Sequence, residues 1–464
     1  MFQERRSHDR SLTGCGLNSD RHHRRFNNKA GVRALNRRKF IMGSAAMTAT
    51  AALTQEAQAT TSSSQAKIVI AGAGAAGLSL ASRLKQQMPR ATIVIIDAKK
   101  DHHFQPGFTL VGAGLWSPAD VTFRNSDFMP SGIDWIEQNV AEFNPDANAV
   151  TTTGRQRVSY DFLFVATGLM LDYKRIEGMD TSLIGKNGIT SIYAGPEAAA
   201  KSFREIDTFI DKGGVGLFGR PQTEMKCAGA PLKVTFITDD RARRKGRRDA
   251  VKLIYNAHSP AVFAVVPVND RVKEMFAARD VTMNFNHILT AIDPGSKRAT
   301  YAAGPGLVTM EYDFIHVVPP MRAPDAVKNS PLPWQDGAFA ADGWLEADNA
   351  TRRHPRYPNV FAVGDIAGVP RGKTAASVKW QVPVVVDNLV AETAGREPTA
   401  TYNGYTSCPL VTAYGKAMLI EFDYDGKLTP SFPFIAPLEE LWISWLIEEK
   451  GLKGAYRAML RGLA

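Results

Sequence analysis

The chain has 464 residues, long enough for two or three domains with substantial cores. At 44% hydrophobic and 22% charged residues its composition is ordinary for a soluble protein. The formal charge is +10, but residues 1–59 hold 11 Lys and Arg against 4 Asp and Glu, so only +3 remains for the rest, which does not argue for nucleic acid.

The N-terminus reads as an export signal. Asn36-Arg37-Arg38-Lys39-Phe40-Ile41-Met42 resembles the twin-arginine motif. A short apolar stretch follows, rich in Ala and Thr, and Ala57-Gln58-Ala59 is a small-x-small cleavage pattern. The stretch is shorter than the ~20 residues a membrane span needs. The expectation is a twin-arginine signal over 1–59, a polar linker over 60–66, and a mature protein in the periplasm, attached peripherally to the inner membrane. That compartment tolerates disulfides.

Lys67-Ile68-Val69-Ile70-Ala71 reads as a buried strand. It runs into Gly72-Ala73-Gly74-Ala75-Ala76-Gly77 and a helix, then into a second strand ending at Asp97, 20 positions after the last glycine. That order is the dinucleotide-binding fingerprint. Gly72 permits a tight turn. Gly74 lets the backbone approach a pyrophosphate, with Ala75 and Ala76 opening the helix beneath it. Gly77 allows close helix–strand packing, and Asp97 takes the ribose hydroxyls.

Two later strands end in recognisable turns. One runs into Ala166-Thr167-Gly168 and the other into Gly364-Asp365. Both resemble the paired signatures of two-dinucleotide-domain flavoproteins of the disulfide-reductase-like class. By that resemblance the cofactor is FAD and Asp365 binds its ribityl or phosphate part. Lys373-Thr374-Ala375 would open a helix whose positive end faces the flavin. The fold class expected is α/β, with two Rossmann-like domains and a C-terminal region carrying an amphipathic helix. Gly214-Val215-Gly216-Leu217-Phe218-Gly219 has fingerprint spacing, yet its apolar residues look like the strand itself and Arg220-Pro221 follows. A nicotinamide reductant is therefore not expected. The basic run Arg241 to Arg248 is a solvated loop or helix start, or a contact for anionic lipid or an acidic partner.

The three cysteines are Cys15, Cys227 and Cys408. From about residue 66 onward the chain resembles the sulfide:quinone oxidoreductases, in the branch that includes the mitochondrial enzymes. The matching segments are His102-His103-Phe104-Gln105-Pro106-Gly107-Phe108, Met225-Lys226-Cys227-Ala228-Gly229-Ala230-Pro231, His316-Val317-Val318-Pro319-Pro320-Met321 and Tyr405-Thr406-Ser407-Cys408-Pro409-Leu410. The resemblance implies that Cys227 and Cys408, 181 positions apart, are the redox pair. Hydrosulfide would attack the oxidised pair, joined as a disulfide or through a bridging sulfur, leave Cys408 as a persulfide and release Cys227 as a thiolate that passes two electrons to FAD. The sulfane sulfur would go to an acceptor and the electrons to a membrane quinone. Gln105, in the first matching segment, is carried over as a cofactor contact. Lys226 either lends positive charge to Cys227 or points to solvent. With Cys15 in the signal, no cysteine is spare for a flavin link, so FAD is expected to be non-covalent. No metal site is expected.

This resemblance divides the chain into a first FAD-binding part (67–175), a second Rossmann-like domain (176–315), a second FAD-binding part (316–395) and a C-terminal redox-cysteine and membrane-association region (396–464). Residues 219–225 depart from the family's usual approach to the first cysteine, and the C-terminus ends early. Residues 438–463 read as a helix with Trp and Tyr among interleaved charges, broken at Gly451 and Gly454, suited to lying in a membrane surface without spanning it. Packing against its own domain is the competing reading. Phe432, Phe434, Tyr414 and Trp442 are candidate quinone neighbours. Two other functions stay open: the flavoprotein subunit of a flavocytochrome c sulfide dehydrogenase, and an exported flavin- and sulfur-binding protein that does not turn over.

Overall fold

The computed structural model describes residues 61–463. The expected export signal, and Cys15 with it, lies outside the described residues.

Two parallel sheets organise the chain, as the fold class anticipates. The first is built from β1 (Lys67–Ala71), β2 (Thr92–Ile96), β3 (Asp134–Ile136), β4 (Phe162–Val165) and β10 (Val360–Ala362), in the order β10-β4-β1-β2-β3. Its central strands are runs of Ile, Val, Leu and Phe with no polar alternation. Strands covered on both faces need that pattern, and Ile68, Ile70, Leu163 and Phe164 are fully buried. The second sheet holds β5 (Ile189–Thr190), β6 (Gly214–Gly219), β7 (Val251–Ala257), β8 (Val281–Phe285) and β9 (Phe314–His316), in the order β5-β9-β6-β7-β8. Gly214–Gly219 is thus strand, as its apolar residues predict. Its glycines lie within the sheet and not in a phosphate-binding turn.

Three helices matter for the site. Helix α1 (Ala75–Gln87) follows β1, α2 (Ala230–Arg244) follows Cys227, and α3 (Ala375–Thr393) follows Lys373. A hairpin of β11 (Thr406–Ala413) and β12 (Lys416–Phe422) carries Cys408 opposite Ile420.

The basic run closes the C-terminal end of α2, where cations complement the helix dipole. Arg241 and Lys245 pair with Asp207, Arg243 and Arg248 with Asp239, and Arg244 with Asp240. Intramolecular acids take up the charge that a lipid or an acidic partner would otherwise meet.

The tail differs from the expected broken helix. It comprises α4 (Trp442–Leu446), a π-helical turn (Ile447–Gly451) and α5 (Leu452–Leu460), which runs straight through Gly454. Its apolar stripe has a partner in its own domain. Trp445, Tyr456, Met459 and Leu460 are buried. Ser82 Oγ on α1 donates to the Leu460 carbonyl (2.7 Å). Lys453, Arg457 and Arg461 lie over the rings of Trp116, Phe123 and Phe128 at 4.5–5.5 Å. Trp442 (61% exposed) and Phe434 (69%) face outward. Among the described residues no helix is long and apolar enough to cross a membrane.

Candidate active site

The fingerprint glycines sit where a bound dinucleotide would need them. Gly72 has φ +109°, and a Cβ there would stand 2.4 Å from the Ala166 carbonyl oxygen. A Cβ on Gly77 would stand 1.8 Å from the Gly72 carbonyl, so that glycine serves the fold itself. Gly74 differs, since a Cβ there would meet nothing within 4 Å. The space above it is open for a ligand, at the N-terminus of α1. Ala75 and Ala76 form the first turn, and Ala76 Cβ lies 3.2 Å from where a Cβ on Gly364 would be. Asp97 accepts from Ala73 N (2.7 Å) and Lys99 N (2.8 Å), which aims its carboxylate at the glycine turn.

The second turn adds an orphan. Thr167 Oγ1 is buried without a hydrogen-bond partner among the described residues. Gly168 beside it has φ +68° and open space at its Cβ position. A buried hydroxyl left unpaired is costly, and a cofactor phosphate or ribityl oxygen would satisfy it. The open Gly74, the orphan Thr167 and the acid Asp97 together fit a flavin dinucleotide.

The third turn is crowded with charge. Gly364 N donates to Gln381 Oε1 (2.8 Å). Burial pushes the Asp365 carboxyl up, opposed by Lys226 and Lys373. The Lys373 ammonium donates to the carbonyls of Asp365 (2.8 Å) and Ala367 (2.7 Å) and lies 3.8 Å from the centre of the Trp344 ring. Burial lowers its pKa to about 8. Its polar head thus braces the turn. Thr374 caps α3 by accepting from Ser377 N (3.1 Å) and bonds the Thr406 hydroxyl (2.8 Å). The positive end of α3 is thereby tied to the strand that carries Cys408.

The two cysteines meet. Both are free, Cys408 Sγ rests against Gly229 two residues after Cys227, and each thiol influences the titration of the other. Cys408 is buried, on β11. Cys227 is half-buried, three residues before α2, at φ +48°. That conformation is unusual for a side chain with a Cβ. Three bonds hold it: Cys227 N donates to Lys373 O (3.1 Å), and its carbonyl accepts from Ala230 N (2.9 Å) and Tyr193 Oη (2.9 Å). Cys227 therefore lies on the side of the pair toward Lys373 and the third turn. The bond from Cys408 is the largest influence lowering the Cys227 thiol, against burial and with help from Lys233 and Lys226. The same bond and burial push Cys408 up. One sulfur is poised as the thiolate and the other as the thiol.

Lys226 is half-buried and turned toward Gln105. Its Nζ donates to Gln105 Oε1 (2.7 Å), and burial pulls its pKa down while Asp365 and Cys227 oppose. Gln105, Lys226, Cys227, Lys373 and Asp365 thus form one cluster. Asp97 stands apart from that cluster at the first glycine turn, and Thr167 at the turn after β4.

Sequence reasoning passed over Tyr193, Gln381 and Lys233. Lys233 had a signal, as a lysine four residues after Gly229 on the helix that follows a reactive cysteine. Tyr193 and Gln381 had none, because each reaches the site across a large sequence separation.

Two parallel dinucleotide-type sheets, an open glycine cradle and a facing cysteine pair define a flavoprotein of the disulfide-oxidoreductase class. The pyridine nucleotide-disulphide oxidoreductase family matches over residues 66–200. The mitochondrial sulfide:quinone oxidoreductase of Dictyostelium discoideum is 38% identical over 85% of this chain and 86% of its own, and that of Mus musculus 34% over 85% and 86%. The crystal structure of the sulfide:quinone oxidoreductase of Aquifex aeolicus superposes with TM-score 0.71 at 19% identity, covering 86% of this chain and 92% of that one. The chain belongs to the sulfide:quinone oxidoreductase family, whose class uses a flavin. The same relatives correct the expected location. Both curated relatives are mitochondrial enzymes, which overturns the assignment to the periplasm, and the motif that prompted it lies outside the described residues.

Proposed function

We propose that this chain oxidises hydrosulfide at the Cys227–Cys408 pair and delivers two electrons through non-covalently bound FAD to a membrane quinone. The observation that carries the reading is the convergence of two cysteines 181 residues apart, Cys408 Sγ resting against Gly229 two residues after Cys227, with Cys227 N bonded to Lys373 O. Gly72, Gly74, Ala75, Ala76, Gly77, Asp97, Thr167, Gly168, Gly364, Asp365 and Thr374 would hold the cofactor, with Gln105 and Lys373 positioned beside it. FAD, when bound, supplies a two-electron acceptor next to Cys227.

In the oxidised pair, hydrosulfide attacks Cys408 Sγ. A sulfur–sulfur bond forms there, the bond between the cysteines breaks, and its electron pair stays on Cys227 as a thiolate. The residues that favour thiolate at Cys227 stabilise that leaving group. A sulfane-sulfur acceptor then takes the outer sulfur from Cys408. The cofactor is non-covalent in this reading because both described cysteines are committed to the pair. Outward-facing Trp442 and Phe434 are the membrane-surface contacts, since indole and phenyl rings favour the interface. Tyr414, stacked under Arg244, is packed into the protein and is the weaker quinone neighbour.

The test is anaerobic stopped-flow absorbance on the flavin-loaded protein. Sulfide should bleach the flavin, a soluble quinone analogue should restore it, and Cys227→Ser and Cys408→Ser should each abolish bleaching. A flavin unmoved by sulfide, or variants that turn over normally, would sink the reading.

A further inference from the structure

Residue Glu448 belongs to the C-terminal tail, far in sequence from either cysteine. It sits in the π-helical turn Ile447–Gly451, an irregularity often found at functional sites. Its side chain is 2% exposed and pairs at 3.3 Å with Lys233 Nζ, whose side chain is 3% exposed. Its second oxygen, Oε2, has no partner among the described residues. Two charges taken this far out of water need a reason, because the desolvation cost rivals their attraction.

Helix α2 points to one. Lys233 N bonds to Gly229 O (3.0 Å), so the two residues stand one turn apart on one face. Cys408 Sγ rests against Gly229, since a Cβ there would be 2.3 Å from it. Helical side chains lean toward the helix N-terminus, so the Lys233 ammonium is carried toward the sulfurs. The tail is pinned beside them as well. Leu441 and Ala417 exchange both backbone hydrogen bonds (3.0 and 3.2 Å), and Ala417 lies on the strand paired with that of Cys408.

We propose that Glu448 is a positioning residue for the sulfur chemistry: it anchors the Lys233 ammonium against the helix face on which Cys408 Sγ rests, so that the C-terminal tail sets how readily Cys227 exists as thiolate. The proposal rests on the reading of Cys227 and Cys408 as the sulfur-carrying pair. The charged and titratable groups facing Cys227 are Cys408, Lys233, Glu448, Lys226 and Tyr193. Besides burial, the charge of Glu448 disfavours a thiolate there, whereas that of Lys233 favours it. Acting through the lysine and acting directly therefore have opposite signs. Glu448 is the largest influence holding the proton on Lys233 against burial, so without its carboxylate the ammonium is less favoured and less fixed in place, and Cys227 is left with a weaker positive neighbour.

The experiment measures the pH midpoint of Cys227 alkylation by iodoacetamide on the reduced, flavin-loaded full chain, read peptide by peptide by mass spectrometry. It needs neither sulfide nor quinone, so it stands apart from the turnover test. Lys233→Met should raise the midpoint by about one unit, and Glu448→Gln by about half a unit or more. Glu448→Asp, which keeps the charge but withdraws it by one methylene, should give a smaller rise. In the Lys233→Met background Glu448→Gln should add nothing. That double variant leaves no buried charge, so it guards against loss of fold. A fall in the midpoint with Glu448→Gln, no change in any variant, or an equal shift in both backgrounds would overturn the proposal.

Discussion

Gly229 lies so close beneath Cys408 that a methyl group on its Cα would stand 2.3 Å from Cys408 Sγ. The sulfur fills the space a side chain would take. The glycine thus lets β11 bring its cysteine down onto the start of α2.

Gly229→Ala should displace the Cys408 sulfur by about an ångström. Misplacement of that size commonly costs a reacting pair about 100-fold in rate. We expect flavin bleaching by sulfide to slow by at least ten-fold, with a loss of about 1–3 kcal/mol in stability from overpacking. Stopped-flow absorbance and urea unfolding check both. Wild-type bleaching in the variant would mean that the sulfur has room to spare.

Gly74→Ala and Thr167→Val should weaken the cofactor while sparing the fold. Gly74 faces open space and Thr167 Oγ1 has no protein partner, so neither change removes a contact within the protein. One lost hydrogen bond of about 1 kcal/mol corresponds to roughly five-fold weaker flavin binding for Thr167→Val. Gly77→Ala is the contrast, since its Cβ would stand 1.8 Å from a carbonyl oxygen and the first sheet should not form. Flavin titration of the apoprotein separates the three. Unchanged flavin affinity in both Gly74→Ala and Thr167→Val would move the cradle elsewhere.

The Cys227 thiol is held below its ordinary value of 9.0, chiefly by the bond from Cys408. Cys408→Ala removes that donor, so the alkylation midpoint of Cys227 should rise. The sign for stability follows. A thiol depressed in the folded state stabilises the reduced protein fully above its unfolded pKa, and that contribution is lost as the pH falls through the folded value. Reduced wild-type protein should therefore gain stability over Cys408→Ala as the pH rises toward 9. A parallel pH dependence in the two proteins would rule the bond out as the cause.

Acid should unfold the chain early. Burial lowers His316 to about 3 and His258 to about 4, and lowers His102, His103 and His354 as well. These imidazoles are neutral in the fold and charge on unfolding. Below about pH 6.5 the unfolded chain binds more protons, so stability falls with pH by up to about 1.4 kcal/mol per unit for each group. His316, 2% exposed with Nδ1 unpartnered among the described residues, should contribute a full share down to its folded value. Urea unfolding of His316→Gln between about pH 4 and 7 should show a shallower slope. An unchanged slope would remove His316 from the acid response.

Much of the fold was legible because its signals are local. The unbroken apolar run of 68–71, the glycines after it and Asp97 lie within thirty residues, and one strand-turn-helix unit and the strand after it use them all. The reading of 214–219 as strand succeeded on the same ground. The tail was harder. Its apolar stripe suits a membrane and a protein core equally, and only contacts distant in sequence decide where it goes: Tyr456 packs against Phe104 and bonds His102, while Lys453, Arg457 and Arg461 lie over Trp116, Phe123 and Phe128. The expected location is overturned because a short basic motif carries no tertiary or family information, whereas the curated relatives are mitochondrial enzymes.

By itself the sequence determined the strand, glycine turn and helix at 67–87 and the strand at 214–219, since spacing and residue type carry those, while the pairing of the two cysteines came from the resemblance to a family. Only the tertiary structure decided that Lys226 turns to Gln105 and that Glu448 reaches Lys233. Each depends on groups brought together across up to 215 residues, and the charge of a buried group is set by its neighbours in space, which no local pattern encodes.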